Sequence, residues 1–349
     1  MSTFVIAEAG VNHNGEDALA YQLVEEAAKA GADAIKFQTF SAAKVARPSA
    51  PKADYQTTTT GEGNQFDMLK KLEISPELHL GLMERCRTLG IEFMSTPFDP
   101  ESADFLVQHG MGRLKIPSGE ITNHVFLRHL AGLGVPMILS TGMATLDEVQ
   151  EAVAVLRANW AGAEDFDKVL TILHCTSNYP AADHDVNLRA MNTIGAATGM
   201  PVGYSDHTLG IAISPAAVAL GAMVIEKHFT LDRGMEGPDH RASLEPGELA
   251  AMIAQIRSVE AALGRAEKAP TESEIQMRTV ARRSIALARA LPAGTVLSAD
   301  HLVLLRPATG IAPRHFDSLL GRTLARDVAD GDALTWDDIA GGHVAGGED

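Results

Sequence analysis

Polar and charged side chains stand at the end of nearly every short apolar run of this 349-residue chain. Lysine and glutamate are rarely buried unless they are paired or serve a function. Their recurrence at the ends of eight runs is therefore typical of an active site rather than of packing alone. The side chains concerned are Glu8, Lys36, Thr96, Lys115, Ser118, Glu120, Ser140, His174, Ser177, Asn178, Tyr179, Ser205, Asp206, His207, Glu226, Lys227 and His228.

Two histidines, His207 and His228, follow or end the last two runs. Imidazole together with carboxylate or water suits Mn, Fe, Co or Zn. Two ligands are too few to diagnose a metal, and a hydrogen-bonded pair among the thirteen histidines of the chain is the alternative. The spacing by itself does not favour the metal.

Two lysines within these runs, Lys36 and Lys115, permit three interpretations. They are counter-ions of Glu8 and Glu226, or they bind a phosphate or carboxylate together with neighbouring hydroxyl groups. The third interpretation is a Schiff-base lysine, so an aldolase that uses Lys115 and pyruvate is a rival function.

The eight runs are short and rich in Val, Ile, Leu or Phe, as strands buried on both faces should be. Eight such strands alternating with helices over about 260 residues predict a (β/α)8 barrel, whose catalytic side chains lie at the carboxyl ends of the strands. An open doubly wound sheet is disfavoured because no glycine-rich phosphate turn follows the first strand. The predicted strands are Phe4–Glu8, Ala34–Thr39, Ile91–Thr96, Arg113–Pro117, Val135–Ser140, Val169–Cys175, Val202–Ser205 and Met223–His228, with helices such as Leu19–Ala30, Pro76–Leu89, Asp147–Arg157 and Pro246–Leu263.

Two stretches interrupt this alternation. Ser41–Ser75 is too long for a simple connection and predicts either a surface excursion or a lid over the barrel mouth. The barrel domain at 1–264 is followed by a polar linker at 265–282 and a small, mainly β domain at 283–340. The glycine-rich residues 341–349 predict a disordered tail.

Composition narrows the class of protein. The formal charge is −16, from 29 Lys and Arg against 45 Asp and Glu, which argues against a nucleic-acid or anionic-membrane binder. The two cysteines, Cys86 and Cys175, cannot form a disulfide framework and are expected to pack in the core. The sequence predicts neither a signal peptide nor an apolar run of the roughly 20 residues that a membrane span requires. We therefore expect a soluble, cytoplasmic protein.

Several motifs resemble those of the sialic acid synthases, and the resemblance runs from about Phe4 to Ile339. The barrel motifs are AEAGVNHNG at 7–15, IKFQT at 35–39, STPF at 95–98, KIPSGE at 115–120, STGM at 140–143, HCTS at 174–177, GYSDHT at 203–208 and IEKHFT at 225–230. LRPATGI at 305–311 is similar to the antifreeze-like (SAF) domain of these enzymes. Ala308 departs from the Arg-Pro-Gly pattern of that domain, whereas Arg306 is retained.

The resemblance implies that phosphoenolpyruvate condenses with an open-chain N-acetylmannosamine-type sugar, with C–O cleavage and release of phosphate. N-acetylneuraminate is the product expected first. The alternative product is N,N′-diacetyllegionaminate, made from 2,4-diacetamido-2,4,6-trideoxymannose. A non-catalytic SAF-type binding protein is a rival of another class, and the many strand-end charges argue against it.

The resemblance also implies roles for individual residues. His207 and His228 would hold a divalent cation that polarises the sugar aldehyde, with Mn²⁺ expected and Mg²⁺ or Co²⁺ as alternatives. Glu8 would be the acid/base group toward C2. Arg306 would reach the partner subunit's site in a domain-swapped homodimer. The implied substrate contacts are Lys36, Thr96, Lys115, Ser118 and Ser140 for phosphoenolpyruvate, Glu120 for the sugar, and Ser177, Tyr179, Ser205 and Asp239 for the remaining positions.

Overall fold

The structure, a computed structural model, describes residues 2–52, 57 and 60–342. The chain forms two compact units, residues 1–264 and 265–349. Most of the predicted disordered tail, from residue 343 onward, lies outside the described residues. No helix in the described part of the chain is both long and apolar enough to cross a membrane.

Eight parallel strands form the first unit, and their order in the sheet is β3-β2-β1-β8-β7-β6-β5-β4. The two outermost strands, β3 and β4, also pack beside each other, so the sheet is a near-closed barrel. The predicted barrel fold is confirmed. The strands are β1 Phe4–Gly10, β2 Ala34–Thr39, β3 Glu92–Pro97, β4 Leu114–Ile116, β5 Met137–Ser140, β6 Leu170–Cys175, β7 Val202–Asp206 and β8 Val224–His228.

Helices connect the strands and cover the outside of the barrel. Several begin where a polar side chain caps the helix, as at Ser75, whose hydroxyl accepts a hydrogen bond from the Leu78 N–H. The helices of this unit are α1 Asp17–Ala30, α2 Ala42–Val45, α3 Gln65–Lys71, α4 Pro76–Leu89, α5 Pro100–Gln108, α6 His124–Gly132, α7 Leu146–Ala158, α8 Phe166–Val169, α9 Arg189–Thr198, α10 Ile213–Ala219 and α11 Pro246–Leu263.

The excursion between β2 and β3 contains the short helices α2 and α3. On α3 and just after it, Met68 and Leu72 pack against Val11 and Phe40, so this part of the excursion rests on the barrel. Residues 53–56 and 58–59 lie outside the described residues. The lid hypothesis therefore stays a prediction.

The second unit begins with α12 Glu272–Ala281, which lies within the predicted linker. An antiparallel pair follows, β9 Ser284–Leu287 and β10 Leu302–Leu305, and then the short helix α13 Phe316–Leu319. Residues 296, 324 and 328 of this unit make isolated β-bridges and do not belong to a named strand. The buried core comprises Ile285, Leu287, Leu297, Leu302, Ile311, Leu319, Leu324, Val328, Leu334 and Ile339.

Candidate active site

A layer of apolar side chains fills the barrel interior below the site, and it comprises Ile6, Ala34, Met94, Ile138, Leu173 and Val224. Successive side chains on a strand point to opposite faces, so residues two positions further along face the same interior. On β1 this places Glu8 beyond Ile6, and on β2 it places Lys36 beyond Ala34. The period of the strands thus gathers the polar side chains at the carboxyl end of the barrel.

These side chains surround a cavity of about 300 Å³. Three larger cavities, of about 590, 500 and 370 Å³, lie elsewhere and contain none of the predicted site residues. Chemistry rather than size therefore identifies the candidate active site. The predicted residues that line it are Glu8, Lys36, Thr96, Lys115, Ser118, Ser140, Ser177, Tyr179, Ser205, His207, Glu226 and His228.

Two lysines and two glutamates form a buried charged group in this cavity. The Lys36 Nζ lies 2.7 Å from Glu8 Oε2 and 3.6 Å from Glu226 Oε2. The Lys115 Nζ lies 3.3 Å from Glu226 Oε1. Lys36 also donates a hydrogen bond of 2.8 Å to the Thr96 hydroxyl. The counter-ion interpretation of both lysines agrees with these contacts, and anion binding stays a prediction.

The two glutamates differ in acidity although they lie close together. Burial raises the pKa of Glu8 to about 7, even with Lys36 beside it. Burial also acts on Glu226, but attraction to Lys115 and Lys36 outweighs it and lowers the pKa of Glu226 to about 2. Near neutral pH Glu226 is a carboxylate and Glu8 is only partly ionised, so the group carries an excess of positive charge when both lysines are protonated. This excess of positive charge suits an anionic ligand.

The pKa values of the two lysines shift in opposite directions, although burial acts to lower both. For Lys36 the nearby carboxylates outweigh burial and raise its pKa. For Lys115 burial dominates and lowers its pKa. A lowered pKa is also what a Schiff-base lysine requires, so the geometry by itself does not separate the anion-binding and aldolase hypotheses.

The His207 and His228 rings lie with their centroids 5.6 Å apart. The Nδ1 of His207 is 2.6 Å from the Thr176 carbonyl oxygen, which can only accept a hydrogen bond. In the neutral ring Nδ1 therefore carries the proton, and Nε2 keeps its lone pair. The Nδ1 of His228 is buried without a hydrogen-bond partner among the described residues. Burial lowers the pKa of both rings, so both are neutral at physiological pH.

This histidine pair fits a divalent cation. Neutral imidazole with an available nitrogen is the form that ligates such ions. Within the described residues no group of three or more His, Cys, Asp or Glu could hold a metal ion, so the protein would supply two imidazoles. Water and substrate oxygens would complete the coordination. The Tyr179 ring packs 4.2 Å from the His207 ring and 5.7 Å from the His228 ring.

Cys175 lies in the wall of the cavity, which corrects the expectation that it only packs in the core. Its sulfur accepts a hydrogen bond of 3.0 Å from the Gly142 N–H and lies 3.3 Å from the Ser118 hydroxyl. A side chain at Gly142, where φ is +37°, would place its Cβ 2.4 Å from the Ser177 hydroxyl. Glycine is therefore required for this close approach. Cys86 is buried in the barrel core as predicted.

Some residues that were not predicted as contacts also line the cavity. Gln38 is two positions beyond Lys36 on β2, so strand alternation alone would have placed it in the cavity. Phe98 and Met143 belong to motifs but not to the predicted contact set. Ser140, which was predicted, has a buried hydroxyl oxygen without a partner among the described residues and is thus available to a ligand.

The cavity lining does not include three residues to which the resemblance assigns roles, Glu120, Asp239 and Arg306, nor the strand-end side chains His174, Asn178, Asp206 and Lys227. Glu120 accepts a hydrogen bond of 2.7 Å from the Asn123 side chain. Asp239 lies in the loop after β8, where burial raises its pKa to about 6. Arg306 is exposed in the second unit, directly after β10. Their predicted roles need contacts that the cavity of the barrel unit does not provide.

The fold and the cavity together define an enzyme of the (β/α)8-barrel class, with its charged site at the carboxyl ends of the strands. A profile of the NeuB family matches residues 23–268, and a profile of the SAF domain matches residues 282–340. The chain belongs to the NeuB family, and several of its relatives are synthases.

Three similar proteins illustrate this membership. The N,N′-diacetyllegionaminic acid synthase of Legionella pneumophila is 48% identical and covers 97% of this chain and 95% of its own. The synthase of the same name from Campylobacter jejuni is 46% identical over 93% of this chain and 96% of its own. The crystal structure of N-acetylneuraminic acid synthetase from Leptospira borgpetersenii is 36% identical, with a TM-score of 0.69 over 79% of this chain and 90% of that chain.

Proposed function

We propose that this enzyme condenses phosphoenolpyruvate with 2,4-diacetamido-2,4,6-trideoxymannose to give N,N′-diacetyllegionaminate and phosphate. The observation that carries the proposal is the identity of 48% and 46% to two synthases of that name, against 36% to the N-acetylneuraminic acid synthetase. N-acetylneuraminate, the product expected first from the motifs, thus becomes the second candidate.

The donor is proposed to bind at the charged group of the cavity. Lys36 and Lys115 would meet the carboxylate and phosphate of phosphoenolpyruvate, with Thr96, Ser118 and Ser140 donating hydroxyl hydrogen bonds. The buried, unpartnered Ser140 hydroxyl and the positive charge excess support this placement. Glu226, ionised because its pKa is low, keeps Lys115 in place and accepts a hydrogen bond of 2.9 Å from Ser205.

The proposed reaction forms one carbon–carbon bond and breaks one carbon–oxygen bond. C3 of phosphoenolpyruvate attacks the aldehyde carbon of the open-chain sugar, and the aldehyde oxygen takes up a proton. Water adds to C2, and the bond from C2 to the phosphate oxygen breaks with its electrons on phosphate. The α-keto acid and inorganic phosphate result.

Glu8 is proposed to act as the base that accepts the proton of the attacking water. A general acid/base group works best when its pKa lies near the operating pH, and the pKa of Glu8 is about 7. A divalent cation held by His207 and His228 would supply Lewis-acid polarisation of the aldehyde oxygen.

A panel of acceptor sugars tests the proposed substrate. We expect kcat/KM for the diacetamido-trideoxy sugar to exceed that for N-acetylmannosamine by about 10²-fold or more, because pocket groups that bind the second acetamido group would otherwise be unpaired. Phosphate release with phosphoenolpyruvate and Mn²⁺ is the measurement, and N-acetylmannosamine 6-phosphate and a reaction without sugar are the controls. The reverse order of kcat/KM would establish N-acetylneuraminate instead.

Arg306 is proposed to complete the cavity of a partner subunit in a homodimer. The turn after it is held in place, because the Ala308 N–H donates a hydrogen bond of 2.8 Å to the Thr279 carbonyl and Ser284 donates one of 2.8 Å to the Pro307 carbonyl. Alanine at position 308 therefore leaves this turn tethered. A guanidinium suits bidentate contact with a carboxylate or an amide carbonyl.

Mixing two inactive variants tests this proposal. Arg306→Ala and Glu8→Ala should each abolish turnover, whereas equal mixing should restore about a quarter of the wild-type activity, because half of the dimers are mixed and each has one intact site. Arg289→Ala, at another exposed arginine of the same unit, serves as the control and should stay active. Verified subunit exchange without any recovered activity would contradict the shared site.

A further inference from the structure

Asp206 on β7 and Lys227 on β8 form an ion pair whose side chains are both 0% exposed. The two residues are register partners in the parallel ladder. Their neighbours Ser205 and Glu226 line the cavity, so strand alternation directs this pair to the opposite, helix-facing side. The proposed reaction makes no use of the pair.

A dense set of contacts surrounds this pair. The Lys227 Nζ lies 3.1 Å from Asp206 Oδ2 and donates a hydrogen bond of 2.5 Å to the Thr208 carbonyl. Asp206 Oδ1 accepts from the Thr208 N–H at 2.9 Å and from the Thr208 hydroxyl at 2.7 Å. Asp206 Oδ2 accepts from the Ser214 hydroxyl on α10 at 2.7 Å. The carbonyl and the N–H of Thr208 are thus both hydrogen-bonded, and these two bonds fix the turn from 206 to 208.

These contacts act on the backbone that carries the two histidines. His207 lies between Asp206 and Thr208, which are hydrogen-bonded to each other. His228 directly follows Lys227. One ammonium group therefore connects the end of β8 to the turn after β7. The orientation of the His207 ring depends on the same turn, because its Nδ1–H must reach the Thr176 carbonyl.

Stability does not explain why such a pair is buried. Replacing a buried ion pair by apolar side chains of similar volume is often neutral or stabilising, whereas polar contacts specify one geometry. We propose that Asp206 and Lys227 are positioning residues that set the separation and orientation of His207 and His228 for a shared divalent cation. This inference rests on the proposed cation site.

The test uses the double variant Asp206→Asn/Lys227→Met. Asparagine can still accept from Thr208 and bond to Ser214, and methionine fills the volume of the lysine stem, so the fold is kept while the link between the strands is lost. We expect Mn²⁺ to bind the substrate-free protein about tenfold more weakly, since outer partners of metal ligands typically contribute about 10- to 100-fold. Free Mn²⁺ is measured by its EPR signal, and thermal unfolding is recorded in parallel.

A second measurement needs no metal. Long-range ¹H–¹⁵N spectra of the imidazoles in metal-free protein should show His207 as the Nδ1–H tautomer in the wild type. In the double variant the two tautomers should interconvert, because the turn loses the Lys227 contact to the Thr208 carbonyl and holds the His207 bond to Thr176 less firmly. If the double variant does not fold, Ser214→Ala removes a single contact to Asp206, and both readouts should change in the same direction by a smaller amount.

A matched control comes from another buried polar contact outside the cavity. His79 on α4 lies 2.7 Å from the Thr39 hydroxyl, and His79→Gln should lower the unfolding temperature without changing Mn²⁺ affinity or the His207 tautomer. Wild-type Mn²⁺ affinity and a retained tautomer in the double variant would overturn the positioning role. Mn²⁺ binding that His207→Ala leaves unchanged in the wild-type background would instead overturn the cation site itself.

Discussion

Chelation with EDTA is expected to lower kcat/KM by about 10³-fold, and Mn²⁺, Co²⁺ or Mg²⁺ should restore it. Lewis-acid polarisation supplies several kcal/mol of transition-state stabilisation, and about 1.4 kcal/mol corresponds to a factor of ten. His228→Ala should have the same effect without added chelator. Because burial lowers the pKa of His228, its ring is neutral and its removal leaves no unpaired charge.

The control for this prediction is His184→Ala, at a histidine whose side chain is 84% exposed. It should retain wild-type kcat/KM and wild-type metal dependence. Circular dichroism and thermal unfolding of His228→Ala distinguish loss of chemistry from loss of fold. Full turnover in thoroughly chelated enzyme would show that no cation takes part.

Glu8→Gln is expected to lower kcat by about 10²- to 10⁴-fold, the usual range for a general acid/base group. The pH profile should change as well. A base acts in its deprotonated form, so wild-type kcat should rise with pH through about 7, the pKa of Glu8, and reach a plateau above it. In Glu8→Gln this rise should disappear, and initial rates from pH 5.5 to 9 measure it.

Other groups that could produce the same pH limb can be separated from Glu8. The pKa of His207 and that of His228 are lowered by burial, and Asp239 titrates at about 6. A limb near pH 6 that persists in Glu8→Gln and disappears in Asp239→Asn would belong to Asp239. Glu25→Gln, at a partly exposed glutamate of α1, is the matched control and should leave the profile unchanged. An unaltered limb near pH 7 in Glu8→Gln would contradict the assignment.

Hydrophobic spacing was sufficient to locate the barrel elements. Ala34–Thr39 and Pro76–Leu89 coincide with β2 and α4. The strand predicted over Arg113–Pro117 is shorter in the structure, Leu114–Ile116, because proline cannot donate to a ladder. Arg113 pairs with Glu92 through its side chain instead.

The site was predictable where strand alternation governs it and not where loops do. Lys36, Thr96 and Glu226 lie on strands, so a period of two directs them into the barrel. Glu120 and Asp239 follow strand ends, and no period dictates where a loop directs its side chains. Their positions outside the cavity lining could not be derived from spacing.

The order of residue types along the chain thus determined the fold and the composition of the site, because alternation along buried strands is a local property. Only the tertiary structure decided which charges meet. Lys36 contacts both Glu8 and Glu226, although Glu226 is distant in the chain, since barrel closure brings β2, β1 and β8 together. The opposite shifts in the pKa of the two glutamates also arise there, because burial and the distance to each ammonium group exist only in the folded chain.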